Sequence, residues 1–183
     1  MREKAALRRL LRSLHEGPEA RARESEALCG HILNGAWYRD AQVVGGYMPL
    51  PREADVTAVL RDVLSSGRTL ALPLCGMAPQ MTLRRVTSLE ELVPGAYGIP
   101  EPGEESEIIP VDELDLLLVP LEGIDPSGMR LGKGGGYYDC LLAGRSVRTM
   151  GCALSWQRAA HIPAQEWDRP LMACADRGGI HIF

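Results

Sequence analysis

Apolar residues recur at helical intervals near the start of the chain. One stripe consists of Leu7, Leu10, Leu11 and Leu14. This spacing predicts an amphipathic helix over residues 2–15. Lys4, Arg8 and Arg12 are each four residues apart and therefore share another face of that helix, a pattern typical of a solvated surface. A Gly-Pro pair then breaks the pattern, and a weaker stripe predicts a second helix that ends near Trp37.

Short apolar or alternating runs in the rest of the chain predict the strands of a sheet. They cover residues 41–48, 68–74, 81–86, 114–120, 147–154 and 179–183. Between the first two lies an amphipathic helical stretch, for which Asp55 is the predicted N-cap. This strand–helix–strand order predicts a right-handed parallel crossover. The run 114–120 is the most apolar, so we expect it at the centre of the sheet.

The order of these elements indicates an α/β fold. We expect one three-layer domain over residues 1–183, with a mainly parallel or mixed sheet that is covered by helices on both faces. Residues 97–102 contain two prolines and a glycine, which predicts irregular structure. Ligands of such folds collect outside the carboxyl ends of the strands. We therefore expect the loop with Glu53 to meet the segment 128–139 at that edge.

The segment 128–139 (GMRLGKGGGYYD) contains the most unusual chemistry of the chain; we call it the glycine-rich segment. Glycines that precede a helix allow backbone N–H groups to approach phosphate oxygens closely. Arg130 and Lys133 add positive charge, which favours a phosphate site over a simple turn with its tyrosines in the core. The segment is one residue too short for a P-loop and lacks the last glycine of the dinucleotide fingerprint.

Asp139, the last residue of that segment, has two interpretations. It can complement the dipole of the helix that follows the glycines. It can also hold Mg²⁺, which prefers one or two carboxylates together with phosphates and water. The residues alone leave both interpretations open.

Composition and charge limit the classes of partner. The chain has 183 residues and a net charge of −4, which argues against a nucleic-acid-binding surface. No apolar run has the ~20 residues that a membrane span requires. The chain begins with a helical pattern rather than a signal sequence. Its five cysteines include no C-x-x-C pair, which favours a reducing cytoplasm over a disulfide framework or zinc site.

The glycine-rich segment also carries a resemblance to a known family. Residues 114–120, followed by Asp125-x-x-Gly128-x-Arg130-Leu131-Gly132-x-Gly134-x-Gly136-Tyr137-Tyr138-Asp139, are similar to the signature of 5-formyltetrahydrofolate cyclo-ligases. These enzymes are also called 5,10-methenyltetrahydrofolate synthetases. Supporting residues occur in the order of the family: Lys4, Arg8, Glu53, Gly98-Ile99-x-Glu101-Pro102, Pro163 and Asp168.

The resemblance implies an ATP-dependent ligase that acts in the cytoplasm on a small molecule. The reaction converts 5-formyltetrahydrofolate into 5,10-methenyltetrahydrofolate, with ATP and Mg²⁺ as cofactors and with ADP and phosphate as the other products. In that family the formyl oxygen takes the γ-phosphoryl group, and nitrogen 10 then attacks as phosphate leaves. A monomer without nucleic-acid or membrane partners is expected.

The resemblance also implies a role for individual residues. The catalytic residues would be Arg130, Tyr137 and Tyr138. ATP would be bound by Lys4, Arg8, Arg130, Gly132, Lys133, Gly134, Gly135, Gly136, Tyr137 and Tyr138. The folate would be bound by Glu53, Tyr97 and Tyr137, and the metal by Asp139 and Asp168. Glu53 suits the pterin because a carboxylate accepts hydrogen bonds from its amino and ring N–H groups.

Three positions depart from the family pattern. Leu121-Glu122-Gly123-Ile124 replaces a small, apolar stretch that ends in an aromatic residue. Cys140 replaces a basic or small residue, and Met172 stands where a second Asp is common. The alternative function is therefore a non-catalytic or altered-substrate member of the same fold that binds nucleotide or folate.

Overall fold

A seven-stranded mixed sheet forms the centre of the protein in the computed structural model, which describes residues 2–95 and 98–183. The strands are β1 Val43–Gly45, β2 Thr69–Cys75, β3 Met81–Val86, β4 Val93–Pro94, β5 Pro100–Glu101, β6 Leu116–Val119, β7 Gly123–Ile124, β8 Arg130–Leu131, β9 Thr149–Cys152, β10 Ala173–Asp176 and β11 Gly179–Ile182. The order in the sheet is β11-β10-β9-β6-β1-β2-β3. Only the outer strands β3 and β11 pair antiparallel with their neighbours; β4–β5 and β7–β8 form separate ribbons.

Helices flank this sheet and its connections. They are α1 Arg2–Ser13, α2 Pro18–Asn34, α3 Ala36–Asp40, α4 Thr57–Ser65 and α5 Tyr137–Leu141. Short 3-10 helices cover Leu89–Glu91, Val111–Glu113 and Ser155–Gln157. Among the described residues, no helix is both long enough and apolar enough to span a bilayer.

The central position of β6 follows from its sequence. All four of its residues are buried, and it pairs parallel with both β1 and β9. Leu116 and Leu118 face the core under α2 and α4, whereas Leu117 and Val119 face the opposite core. This alternation follows from the two-residue period of a strand. Burial of each leucine stabilises the fold by about 1.5–3 kcal/mol.

The predicted α/β class is confirmed, as is the parallel crossover from β1 through α4 to β2. One face of the sheet is covered by α2 and α4, and the other by α5, the 3-10 helix at 111–113 and connecting loops. Helix α1 lies apart from both layers. Its Leu11 packs with Leu131 and Ile162 in a third, small cluster.

Two local predictions were wrong, and one strand was missed. Strand β1 lies within the predicted run 41–48 but is shorter. Residues 100–101 are not irregular, because they pair with β4 as an edge ribbon that tolerates proline. The N-cap of α4 is Val56 rather than Asp55, whose Oδ1 accepts instead from the Thr57 N–H at 3.1 Å. Strand β10 was missed because its small residues have little β-propensity; pairing with β9 and β11 imposes the strand.

Candidate active site

A cavity of about 760 Å³ opens where β1 and β6 end. The residues that follow these strands, Tyr47 and Pro120, contribute to its wall. The location agrees with the expectation that ligands bind outside the carboxyl ends of parallel strands. Of the predicted site residues, those that line this cavity are Lys4, Arg8, Glu53, Arg130, Gly132, Lys133, Gly134, Gly135, Gly136, Tyr137, Tyr138, Asp139 and Asp168. Tyr97 lies outside the described residues.

A buried aspartate fixes the start of the glycine-rich segment. Asp125 Oδ1 accepts from the Ser127 hydroxyl at 2.6 Å and from the backbone N–H groups of Ser127 and Met129. Its Oδ2 accepts from the Ile162 N–H at 2.9 Å. Although burial acts in the opposite direction, these hydrogen bonds lower the pKa of Asp125. Asp125 therefore holds the turn that leads into β8 and is not itself part of the cavity wall.

The glycines of the segment let the chain pass close to a basic side chain. Gly134 and Gly136 have φ angles of +102° and +74°, a region that residues with a side chain rarely adopt. The guanidinium carbon of Arg8 lies only 3.6 Å from where a Cβ of Gly134 would stand. Arg8 Nε also donates to the carbonyl of Gly132 at 2.6 Å. The glycine backbone and the first helix therefore form one surface.

The basic ridge of α1 is not a solvated face, which corrects the simple interpretation of its spacing. Lys4 forms an ion pair with Asp168, and Arg8 faces the glycines. Arg12 makes two hydrogen bonds with Glu122, at 2.8 and 3.0 Å. Burial and the nearby positive charge of Arg12 lower the pKa of Arg8. The ridge thus brings two cations to the cavity and uses the third to fix the helix.

Arg130 contributes a further, more deeply buried cation. Its side chain is 7% exposed, and its Nη2 donates to Asp139 Oδ1 at 3.1 Å. The guanidinium lies 5.3 Å from the centre of the Tyr138 ring, within the range of a cation–π interaction. Burial and the charge of Glu53 raise the pKa of Tyr138 above its ordinary value. The Tyr137 hydroxyl donates to the Gly76 carbonyl at 3.4 Å.

Glu53 is a buried carboxylate and not a solvated loop charge. Its side chain is 7% exposed, and its Oε2 accepts from the Leu50 N–H at 2.9 Å. Its Oε1 lies 2.6 Å from the Nζ of Lys133. Lys133 is 42% exposed, and this ion pair links the glycine-rich segment to the loop that carries Glu53.

Asp139 and Asp168 have the donor chemistry for Mg²⁺ but do not form a ready-made cage. Each already has a cationic partner, Arg130 for Asp139 and Lys4 for Asp168, and Asp168 also accepts from the Gln165 N–H. Within the described ranges, no cluster of three or more metal-binding side chains occurs. Mg²⁺ prefers one or two carboxylates together with phosphate oxygens and water, so each aspartate has suitable donor chemistry for an ion that arrives with a phosphate.

Several cavity residues had no role assigned from the sequence. Glu101 is buried in the wall, and Cys75 lies beside it. Trp167 lies next to Asp168 at the wall and is 62% exposed. The sequence singled out Glu101 only as part of the family motif Gly98-Ile99-x-Glu101-Pro102, without a role for its carboxylate. For Cys75 and Trp167 the local sequence carries no signal, because only the fold places them at the cavity.

The departures from the family pattern affect packing more than the cavity. Of residues 121–124, Leu121 lines the cavity, whereas Glu122 binds Arg12. A Cβ at Gly123 would lie 2.5 Å from Leu11 Cδ1, so this glycine allows α1 to pack closely. Met172 is 48% exposed, and its N–H donates to the Thr149 hydroxyl. Glu122 and Gly123 of this stretch therefore contact α1.

Comparison with known proteins supports the resemblance over nearly the whole chain. The family model described as "5-formyltetrahydrofolate cyclo-ligase family" matches residues 1–175. The 5-formyltetrahydrofolate cyclo-ligase of Mus musculus is 30% identical over 179 residues, which cover 90% of this chain and 87% of the relative. That of Escherichia coli K12 is 30% identical over 139 residues, or 73% of this chain and 76% of the relative.

Solved structures show the same fold. The 5,10-methenyltetrahydrofolate synthetase of Aquifex aeolicus has a TM-score of 0.84 and 30% identity, with 98% of this chain and 92% of that chain covered. The synthetase of Mycoplasma pneumoniae has a TM-score of 0.75 at 19% identity, with 95% and 98% covered, and this likeness shows the fold alone. With the match of the family model, these relatives establish that the chain belongs to the 5-formyltetrahydrofolate cyclo-ligase family.

Proposed function

We propose that the protein cyclises 5-formyltetrahydrofolate to 5,10-methenyltetrahydrofolate at the expense of ATP, with release of ADP and phosphate. Membership of the family supports this reaction. The observation that carries it is the set of residues that line this cavity. A cationic, glycine-rich surface for phosphates lies in the same cavity as a buried carboxylate for the pterin.

The phosphate end of the cavity consists of the glycine-rich segment and the cations around it. Arg8 and Arg130 lie beside the backbone of Gly132–Gly136, and Lys4 lines the same wall. Phosphoryl transfer depends mainly on positioning and on neutralising the charge that spreads over the phosphate oxygens. Fixed guanidinium groups and close backbone N–H groups meet both needs.

The pterin end is defined by Glu53. Because its carboxylate is buried and, among the described residues, accepts from the Leu50 N–H and Lys133 alone, it retains lone pairs for the amino and ring N–H groups of a pterin. Lys133 is paired with Glu53 Oε1 in this structure. A bound pterin therefore shares that oxygen with Lys133 or displaces the lysine. Tyr137 and the Leu50 side of the cavity lie along the same wall.

The chemistry requires the formyl oxygen to become a leaving group. An amide oxygen is a poor leaving group until it is phosphorylated, so it first takes the γ-phosphoryl group of ATP. Arg130 then faces the transferred group, and Tyr137 and Tyr138 bound the space in which nitrogen 10 attacks the formyl carbon. The carbon–oxygen bond breaks, and phosphate leaves with its electron pair.

Asp139 and Asp168 would hold Mg²⁺ together with the phosphate oxygens. The ion would supply charge neutralisation at the transferred phosphoryl group. Asp139 and Arg130 bind each other directly, so the carboxylate also orients the guanidinium.

The decisive experiment mixes protein, MgATP and 5-formyltetrahydrofolate and follows the near-ultraviolet absorbance of the methenyl product. We expect the absorbance to rise with ATP present and to stay constant when ATP is omitted. No product at saturating ATP contradicts the proposal. If folate then still raises the thermal stability without ATP hydrolysis, a non-catalytic binding protein is the function instead.

We also infer that the protein works as a monomer in the cytoplasm. All five of its cysteines are free, which suits a reducing compartment. Sedimentation velocity tests the oligomeric state, and a dimer at micromolar concentration would contradict it.

A further inference from the structure

Glu101 is a buried cavity carboxylate that the steps above do not use. Its side chain is only 3% exposed, and it lines the cavity from β5. Gly95 leaves room for it, since a Cβ there would lie 2.3 Å from Glu101 Oε2. A buried carboxylate costs free energy unless a donor or a positive charge compensates it. The position of this carboxylate in the cavity wall therefore indicates that a bound ligand compensates its charge.

The charge of Glu101 has no cationic partner within the described part of the chain, unlike that of the other acidic residues in the cavity. The other three pairs are Glu53 with Lys133, Asp139 with Arg130, and Asp168 with Lys4. The neighbour of Glu101 in the cavity wall is the thiol of Cys75. Burial, followed by the nearby charge of Glu101, raises the pKa of Cys75 to about 12, so the sulfur keeps its proton at neutral pH.

Glu101 lies on the side of the cavity where the reaction is proposed to occur. Cys75 and Tyr138 both line this cavity, and the Tyr138 ring lies beneath the Arg130 guanidinium. The neighbouring Gly76 carbonyl accepts from the Tyr137 hydroxyl. Glu101 therefore stands next to the end of the glycine-rich segment and not at the outer rim.

The reaction itself produces a positive charge. The N-formyl group of the substrate is neutral, whereas the product carries one positive charge shared between nitrogen 5, the bridging carbon and nitrogen 10. As the new carbon–nitrogen bond forms and the carbon–oxygen bond breaks, the leaving phosphate takes the electron pair and the proton from nitrogen 10. A carboxylate in a site of low dielectric stabilises such a cation more strongly than it stabilises the neutral substrate.

We propose, on the basis of the function proposed above, that Glu101 is a further catalytic residue, which supplies the countercharge for the cation that develops between nitrogens 5 and 10. The same charge makes the site bind the cationic methenyl compound more tightly than the neutral formyl compound.

The test compares Glu101→Gln, which removes the charge and keeps the shape, with Glu104→Gln, a matched control on an exposed residue outside the cavity. We expect Glu101→Gln to lower kcat by about 10-fold or more, as for other electrostatic groups at a reacting centre. KM for 5-formyltetrahydrofolate and Kd for ATP should remain nearly constant. Affinity for the methenyl product should fall in proportion to kcat, while Glu104→Gln changes none of these values.

An unchanged kcat in Glu101→Gln overturns the proposal. An equal loss of affinity for the formyl and methenyl compounds also overturns it, because Glu101 would then act only as a hydrogen-bond acceptor. Thermal unfolding of Glu101→Gln shows whether a lower kcat results from misfolding. Glu101→Asp retains the charge and should therefore recover part of kcat. If the unmodified protein forms no methenyl product, the proposed function fails. Equilibrium binding of the two folates to both variants still decides the role of Glu101.

Discussion

Arg130 and Lys133 lie three residues apart in the glycine-rich segment, yet the structure predicts very different effects of their removal on ATP binding. Arg130 is 7% exposed and held by Asp139 and the Tyr138 ring, so its guanidinium is already oriented. Lys133 is 42% exposed and turned toward Glu53. A phosphate therefore finds Arg130 in place, whereas Lys133 must first leave its partner.

The two environments set the size of each effect. A hydrogen bond to a charged group contributes about 1.5–3 kcal/mol. Since about 1.4 kcal/mol corresponds to tenfold in affinity, Arg130→Ala should weaken ATP binding by about 10- to 100-fold. Exposed ion pairs contribute about 0.2–1 kcal/mol, so Lys133→Ala should weaken it by less than about fivefold.

Titration calorimetry of MgATP against both variants, without folate, measures the difference. Thermal unfolding of each variant serves as the control, because Arg130→Ala also leaves Asp139 without its cation. Lys133→Ala likewise leaves the buried Glu53 without its cation, so both variants are measured. An equal or larger loss of ATP affinity in Lys133→Ala than in Arg130→Ala would refute the reasoning.

Three further predictions concern packing, the pterin site and pH. Gly123→Ala should destabilise the protein by about 1–3 kcal/mol, because the new Cβ would overlap Leu11. Gly30→Ala, at an open position in a helix, should instead stabilise the protein by about 0.5–1 kcal/mol. Urea unfolding of both variants measures the difference. Glu53→Gln should weaken folate binding by about tenfold in fluorescence titration and leave ATP binding nearly unchanged; equal losses would contradict the assignment. The pKa of Asp125 is lower in the folded protein, so its stabilisation is fully present above the pKa of the unfolded side chain, about 3.9, and is lost as the pH falls from there through the lower pKa of the folded protein. Asp125→Asn should therefore cost more stability at pH 7 than at pH 3, and a constant difference between these pH values would argue against the ionised form.

The sequence predicted the elements whose signal is local. The apolar run at 114–120 contains the central strand β6, and the alternating run at 81–86 matches β3. The amphipathic pattern after Asp55 corresponds to α4. In each of these elements the apolar period of the sequence and the burial in the fold agree, so tertiary packing reinforces the local preference.

The features that escaped prediction depend on contacts between distant parts of the chain. Arg12 and Glu122 are 110 positions apart, and their pairing turns an apparently solvated ridge into a docking surface for α1. The burial of Glu53 and its ion pair with Lys133 likewise arise only when the two loops meet. Strand β10 exists because β9 and β11 supply its partners. Periodicity in one segment carries no information about such partners.

The resemblance to a family supplied what neither pattern nor geometry could. The glycine-rich segment failed two common nucleotide motifs, and from the residues alone it indicated only a phosphate site. Structure places Lys4, Arg8 and Asp168 around that segment. The buried carboxylate of Glu53 lines the same cavity and pairs with Lys133 of that segment.

The most direct test of the central claim measures methenyl product and ADP in the same reaction at several times. If the cavity couples phosphoryl transfer to ring closure, the two products should form in a one-to-one ratio, and neither should form without the other substrate. ADP formed in the absence of 5-formyltetrahydrofolate, or methenyl product formed in the absence of ATP, would contradict the account.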